Sequence, residues 1–255
     1  MGLIGDKIEE LVEIMERLLG PEGCPWDREQ THQSLSRYLI EECYEVVDAI
    51  KSGDMSHLKE ELGDLLLQVI FHSALADRAG CFDLAQVAET VSNKMIHRHP
   101  HVFSDLTLKT SAEVLNIWEG FKKDEGKKTT LAGIPGMLPA LMRAYKIQEK
   151  AARVGFDWPA VEGALDKFKE EIEEMSQAAT EAELIEEMGD VFFALVNVAR
   201  LKNIEPEEAL QAANDKFVRR FNYIEEQVHS KGLDLESMTL EAMDALWDEA
   251  KTKGL

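Results

Sequence analysis

Strand-like alternation of polar and apolar residues is scarce in this chain, and only 7 prolines interrupt its 255 residues. With Ala, Leu, Glu and Lys abundant, that scarcity excludes a sheet protein and leaves helix as the default conformation. Cysteine is short as well. Cys24, Cys43 and Cys81 are odd in number, form no Cys-x-x-Cys pair and all fall in the first half, which excludes a disulfide or zinc framework and suggests a reducing compartment. No apolar run approaches the roughly 18 residues of a membrane span, and the opening stretch, MGLIGDKIEELVEIMERLL, carries acids within its apolar positions and makes a poor secretory signal. The expectation is a cytoplasmic protein with no membrane partner.

Positive charge is the other deficit. The chain has 28 basic against 49 acidic side chains, a net charge of -21, which repels a polyanion over most of the surface and argues against nucleic acid as a partner. A small phosphorylated ligand stays compatible, because divalent cations bridge carboxylates to phosphate oxygens. Gly-rich phosphate loops are missing too: the sequence has no Walker motif and no Gly-x-Gly-x-x-Gly. No Ser or Cys nucleophile has a recognisable partner set.

What is present is helical periodicity. Ile8, Leu11, Val12, Met15 and Leu18 open the pattern, and Leu35, Tyr38 and Leu39 continue it. Gly20-Pro21, Gly53, Gly80 and His99-Pro100 mark helix ends. The stretch Asp124 to Leu141, DEGKKTTLAGIPGMLPAL, gathers Gly, Thr and Pro between helical regions and is expected to link two domains. The boundaries expected are 1–123 for a first helical domain, 124–139 for the linker and 140–255 for a second.

The same signals recur in the same order on both sides of that linker. Glu42 and Glu45 precede Glu171 and Glu174 by 129 residues, Glu61 and Asp64 precede Glu187 and Asp190 by 126, Lys94 and Arg98 precede Lys216 and Arg220 by 122, and Trp118 precedes Trp247 by 129. Loops of changing length between equivalent helices produce such drifting offsets, so the chain reads as two copies of one helical unit. In each copy, acids three apart share a helix face, roughly 60° apart about the axis. The connections between paired helices are short enough to make them antiparallel neighbours, so four carboxylates can converge. Apolar helix follows the last acid directly, in GDLLLQVIF and GDVFFALVNVA. Carboxylates at the edge of a core repel one another unless cations offset them, and hard oxygen ligands suit Mg²⁺ or Mn²⁺. A lone Glu-x-x-Glu is usually a solvated face; two pairs in tandem, repeated, are not adequately explained that way.

Lys216 and Arg220 share a helix face and can either pair with acids or hold phosphate oxygens. Trp247 can stack on a base or belong to the core. The histidines of HRHPH surround Pro100 and point to a loop rather than a metal site.

These residues resemble the MazG-type nucleoside triphosphate pyrophosphohydrolases, an all-α group, and the likeness spans nearly the whole chain. It is carried by GCPWDREQTHQSLSRYLIEECYEVVDAI, EELGDLLLQVIFHS, RVGFDW, EEMGDVFFALVNVARL and NDKFVRRF. The resemblance implies two tandem helical bundles that hydrolyse an NTP or dNTP between the α and β phosphates, with a metal-held or Glu-positioned water attacking phosphorus. It implies Glu171, Glu174, Glu187 and Asp190 as Mg²⁺ (or Mn²⁺) ligands and catalytic residues. Lys167, Glu170, Glu186, Lys216, Arg220 and Trp247 are implied on the substrate side, with Lys216 and Arg220 on phosphates and Trp247 near the base. The second half is the one generally catalytic in two-copy members, and the resemblance extends to a nucleotide housecleaning role. Glu42, Glu45, Glu61, Asp64, Lys94 and Arg98 form a second candidate site, in which Pro100 ends the basic helix just past Arg98. Apolar helix faces beyond what a short helix pair can bury also predict a homodimer.

Two readings of other classes compete. A di-iron bundle needs Glu-x-x-His on each of two helices beside two further Glu, and Glu29/His32 and Glu226/His229 supply one such motif per half, apart from the acidic pairs. A non-catalytic helical oligomeric interaction module would use the repeat for assembly alone.

Overall fold

In the computed structural model, the residues described are 2–104, 106–108, 110, 113–114 and 129–255, and among them there is helix and no strand. Trp118 and residues 124–128 of the expected linker lie outside them. The chain divides into two units, Met1–Phe121 and Lys122–Leu255.

In the first unit, α1 (Leu3–Leu19) is followed by the short α2 (Pro25–Arg28), the long pair α3 (His32–Ser52) and α4 (Met55–Arg78), then α5 (Leu84–Arg98) and the single turn α6 (Pro100–Phe103). The boundaries have local causes. Thr31 opens α3 with a capping box, its hydroxyl accepting from the Ser34 amide while the Ser34 hydroxyl accepts from the Thr31 amide. Gly53 closes α3 in the left-handed region at φ 72°, where a side chain is strained, and the Asp54 carboxylate then caps α4. The turn between α3 and α4 is therefore only two residues long, and the helices pack side by side. Met15 and Leu19 of α1, Leu35 of α3, and Ile70 and Phe71 of α4 form the buried core, with Tyr38, Leu66 and Leu67 packed around it. Helix α5 stops at Arg98, before Pro100, as the sequence predicts.

The second unit has α7 (Ala140–Ala152), the long pair α8 (Val161–Gln177) and α9 (Glu181–Leu201), α10 (Pro206–Ser230), a 3₁₀ turn at Leu235–Ser237 and α11 (Leu240–Thr252). Thr180 and Glu183 make the capping box of α9. Helices α8 and α9 pair as α3 and α4 do, and α7 lies against α9 as α1 lies against α4. A separate cluster joins α10 to α11 through Ile224, Val228 and Leu246, with Phe221, Met243 and Trp247 at its margin. Unlike α5, α10 runs unbroken for 25 residues through Lys216 and Arg220.

Candidate functional site

Each unit carries a carboxylate cluster between its long paired helices. In the second, Glu171 of α8 and Glu187 and Asp190 of α9 bring one oxygen each to within 4.8 Å of one another. Three acids on two antiparallel helices meet there because i,i+3 spacing on α9 and the tight α8–α9 turn bring them to one face. Glu171 is only 6% exposed, while Asp190 and Glu174 are exposed. Lys167, one turn earlier on α8, bonds both Glu170 Oε1 and Glu171 Oε1 at 2.7 Å, and these carboxylates raise the Lys167 pKa above its ordinary value. The other oxygen of Glu171, Oε2, is buried with no hydrogen-bond partner. Desolvation, followed by the charges of Glu174, Glu171, Asp190 and Glu186, raises the Glu187 pKa. The other three carboxylates inferred from the sequence thus all act on Glu187, although Glu174 stands outside the tight trio.

The first unit assembles Glu42, Glu45 and Glu61 within the same 4.8 Å limit. Asp64 is the outlier here, felt by Glu42 as a neighbouring charge. Burial, that charge and a hydrogen bond with Glu45 raise the Glu42 pKa. No lysine stands one turn before Glu42; that position is Tyr38, whose ring sits edge-on to Trp26 and beneath the Arg37 guanidinium. The compensating contact comes instead from His57, whose Nε2 lies 2.9 Å from Glu61 Oε1.

The basic and aromatic residues occupy other helices. Lys94 and Arg98 lie on α5, Lys94 exposed. Lys216 is exposed on α10. Arg220 donates from Nε to the Leu255 backbone oxygen at 2.7 Å, and its guanidinium lies 5.4 Å from the centre of the Trp247 ring. Phe217 packs on the same ring at 5.1 Å. Histidine is absent from both metal-competent clusters among the described residues. His32 instead meets His72, Nδ1 to Nδ1 at 2.8 Å, so the di-iron arrangement is not assembled there.

Sequence reasoning missed the space behind the second cluster. A cavity of about 620 Å³ is lined by Lys167, Glu171 and Asp190 at the carboxylates and by Phe156, Asp157, Trp158, Gln148, Phe193, Asn197 and Arg200 elsewhere. A usable signal existed: Asn197 lies seven residues after Asp190, two helical turns along the same face. Gln148, by contrast, has no motif around it that marks it in advance.

Comparison with known proteins decides the family. The model of the MazG nucleotide pyrophosphohydrolase domain matches twice, at residues 30–103 and 161–224, once on each long helix pair. The chain belongs to this family. It is 47% identical over 250 residues to the nucleoside triphosphate pyrophosphohydrolase/pyrophosphatase MazG of Thermotoga maritima, covering 97% of this chain and 96% of that one. It is 45% identical to the nucleoside triphosphate pyrophosphohydrolase of Escherichia coli K12, covering 96% and 97% respectively. A MazG-related protein from Thermotoga maritima with a solved structure is 35% identical, with a TM-score of 0.40, covering 45% of this chain and 98% of that one. The resemblance drawn from the acidic repeat and the all-α, two-copy reading therefore both hold. No helix among the described residues is long and apolar enough to cross a membrane.

Proposed function

We propose that this MazG-family chain hydrolyses nucleoside triphosphates to the monophosphate and pyrophosphate in a divalent-cation-dependent reaction at the α8–α9 cluster. The observation that carries this reading is the convergence of Glu171, Glu187 and Asp190, with one buried oxygen of Glu171, Oε2, left without a partner. An unpartnered buried carboxylate oxygen is costly, and a hard cation offsets it. The residues present fit Mg²⁺ or Mn²⁺: every donor is a carboxylate, with Glu174 closing the set from the exposed side. When bound, the cation supplies charge neutralisation and polarises the phosphate oxygens.

The chain's own residues do the rest. Lys167 holds Glu171 and Glu170 in place and presents positive charge beside the cavity mouth, where phosphates approach. Glu186 flanks the cluster and acts on the Glu187 charge. Lys216 and Arg220, on the continuous α10, are assigned to phosphate oxygens. Trp247, read from the sequence as a base-side residue, packs against Arg220 and Phe217; we assign it to positioning Arg220. Water adds to the α-phosphorus, the α–β bridge breaks, and the bridging oxygen leaves with pyrophosphate.

The names of the Thermotoga maritima and Escherichia coli relatives specify a nucleoside triphosphate and no single base. Broad acceptance of NTPs and dNTPs fits that, and with it a housecleaning role in the cytoplasm. Exposed Ile172, Ile185, Met188, Phe192 and Leu195 on α8 and α9 support a homodimer that covers them. The activity is tested by incubating the full chain with mixed NTPs and either Mg²⁺ or Mn²⁺. Monophosphate and pyrophosphate in equal amounts are expected, and release of orthophosphate alone contradicts the reading.

A further inference from the structure

Arg220 is one of two cations on a single face of α10. Lys216 stands one turn before it, and among the described residues no Asp or Glu pairs with either. Like charges at that spacing repel, so the face favours an anion. What sets Arg220 apart is that its side chain is already fixed. Nε donates to the Leu255 backbone oxygen at 2.7 Å, and the guanidinium lies 5.4 Å from the Trp247 ring centre, within the roughly 6 Å of a cation–π contact. Phe217 packs on that ring at 5.1 Å. One edge of the guanidinium is therefore spent on protein, while no described residue accepts from its terminal nitrogens. Those nitrogens form the planar fork that matches two oxygens of a phosphate.

The acceptor that holds Nε is a built feature of the end of α11. Gly254 is left-handed at φ 80°. Its N–H donates to the Lys251 oxygen at 3.1 Å while the Leu255 N–H reaches back to the Ala250 oxygen at 3.2 Å, the paired bonds of a Schellman turn. This reversal brings the Leu255 oxygen to α10. Just before it, α11 is stitched to the same helix: the Tyr223 hydroxyl donates to Glu249 Oε1 at 2.6 Å, Lys253 Nζ lies 3.2 Å from that oxygen, and Lys253 Nζ also sits 4.8 Å from the Tyr223 ring centre. Tyr223 follows Arg220 by three residues, so the stitch and the Leu255 contact lie about one helical turn apart on α10.

We propose that the Lys251–Leu255 turn is a positioning element for the phosphate-binding arginine, holding Nε so that the terminal nitrogens of Arg220 present both donors to one phosphate at once. A long side chain ordered before the substrate arrives loses less freedom on binding. Gly254 and Leu255 act only through Arg220 and are positioning residues. This role rests on the assignment of Arg220 to phosphate but makes a separate claim about what aims it.

A matched turn elsewhere in the same unit serves as the control. Gly232 ends α10 left-handed at φ 66°, with Gly232 N–H donating to the His229 oxygen and Leu233 N–H to the Val228 oxygen, and an added Cβ meets nothing within 4 Å at either glycine. Gly232→Ala and Gly254→Ala therefore carry similar backbone strain and are expected to lower Tm by similar amounts, but only Gly254→Ala disturbs Arg220. In the full chain with Mg²⁺, kcat/KM for pyrophosphate release from ATP is expected to fall about fivefold in Gly254→Ala and to stay within about twofold of wild type in Gly232→Ala. Gly254→Pro should lower it further, because proline fixes φ near −65° and has no N–H, so the turn cannot form. The coupling separates positioning from a general loosening of α11: added to Arg220→Ala, Gly254→Ala should still lower Tm but reduce kcat/KM no further. If both Gly254 variants keep wild-type kcat/KM, or Gly254→Ala costs the same factor with and without Arg220, the turn does not position the arginine and the phosphate assignment stands. If Arg220→Ala itself leaves kcat/KM unchanged, the phosphate assignment falls and the positioning role falls with it. If wild type releases no pyrophosphate, the pyrophosphohydrolase reading fails and so do both.

Discussion

The two carboxylate clusters share helix pairing and spacing, yet they are offset differently and open onto different surroundings. In the second unit a lysine, charged throughout the physiological range, holds the most buried acid; in the first a histidine does so, and it carries charge only when protonated. Behind the second cluster lies a cavity with Asn197 and Gln148 in its wall. Behind the first, Phe71, Met15 and Leu19 fill the interior. The basic helices differ as well, with α5 ending at Arg98 and α10 continuing ten residues past Arg220. The lesson is that a carboxylate constellation can be duplicated while the residues packed behind it and the helices beside it diverge.

Single substitutions break the comparison most strongly at the acids. Glu171→Gln and Asp190→Asn are each expected to lower kcat/KM roughly a hundredfold or more, since a charged ligand is lost with little change of shape. The same measurement on Glu61→Gln should show a change of less than about threefold. The contacts proposed to phosphate come next. Lys216→Ala and Arg220→Ala should each reduce the rate about ten- to a hundredfold, the equivalent of about 1.5–3 kcal/mol for a charge-assisted contact, whereas Lys94→Ala should leave steady-state rates near wild type.

Smaller effects concern stability. Lys167 is the ion-pair partner of a buried carboxylate, so Lys167→Ala should destabilise the metal-free chain by about 1 kcal/mol in chemical denaturation, because part of that contact is exposed to solvent. Tyr38→Ala tests a packing position instead, and its cost should not change when Mg²⁺ is added. The least effect is on pH dependence. Raised pKa values at Glu42 and Glu187 mean that the folded state holds these protons more tightly than the unfolded chain. Their stabilising contribution is present below the ordinary carboxylate range and is lost as pH rises through the folded values. Mg²⁺ should therefore raise Tm more at about pH 7.5 than at about pH 5, and Glu187→Gln should shrink that difference.

Much of this was legible in the sequence because it depends on local spacing. Helix ends follow from Gly53 and Thr180, and convergence of the acids follows from i,i+3 geometry across a short turn. That Glu174 and Asp64 stand outside the tight trios was not legible, since both belong to the same spacing as their neighbours. Which member of a pair reaches the centre depends on helix rotation, which packing sets. The contacts of Arg220 with Leu255 and Trp247 arise between α10 and residues from α11 onward, and no periodicity encodes them. The cavity was hidden for the same reason: it is formed by what α7 places opposite α9, and an unfilled volume leaves no motif.

The central claim is that the second cluster carries the chemistry. It is tested most directly by comparing Glu42→Gln/Glu45→Gln with Glu171→Gln/Glu174→Gln in the full chain, measuring pyrophosphate release with Mg²⁺ saturating and folding checked by circular dichroism. The account predicts near-wild-type turnover in the first double variant and turnover reduced by roughly three orders of magnitude in the second. Loss of turnover in the first with activity retained in the second would contradict it and move the site to the α3–α4 cluster.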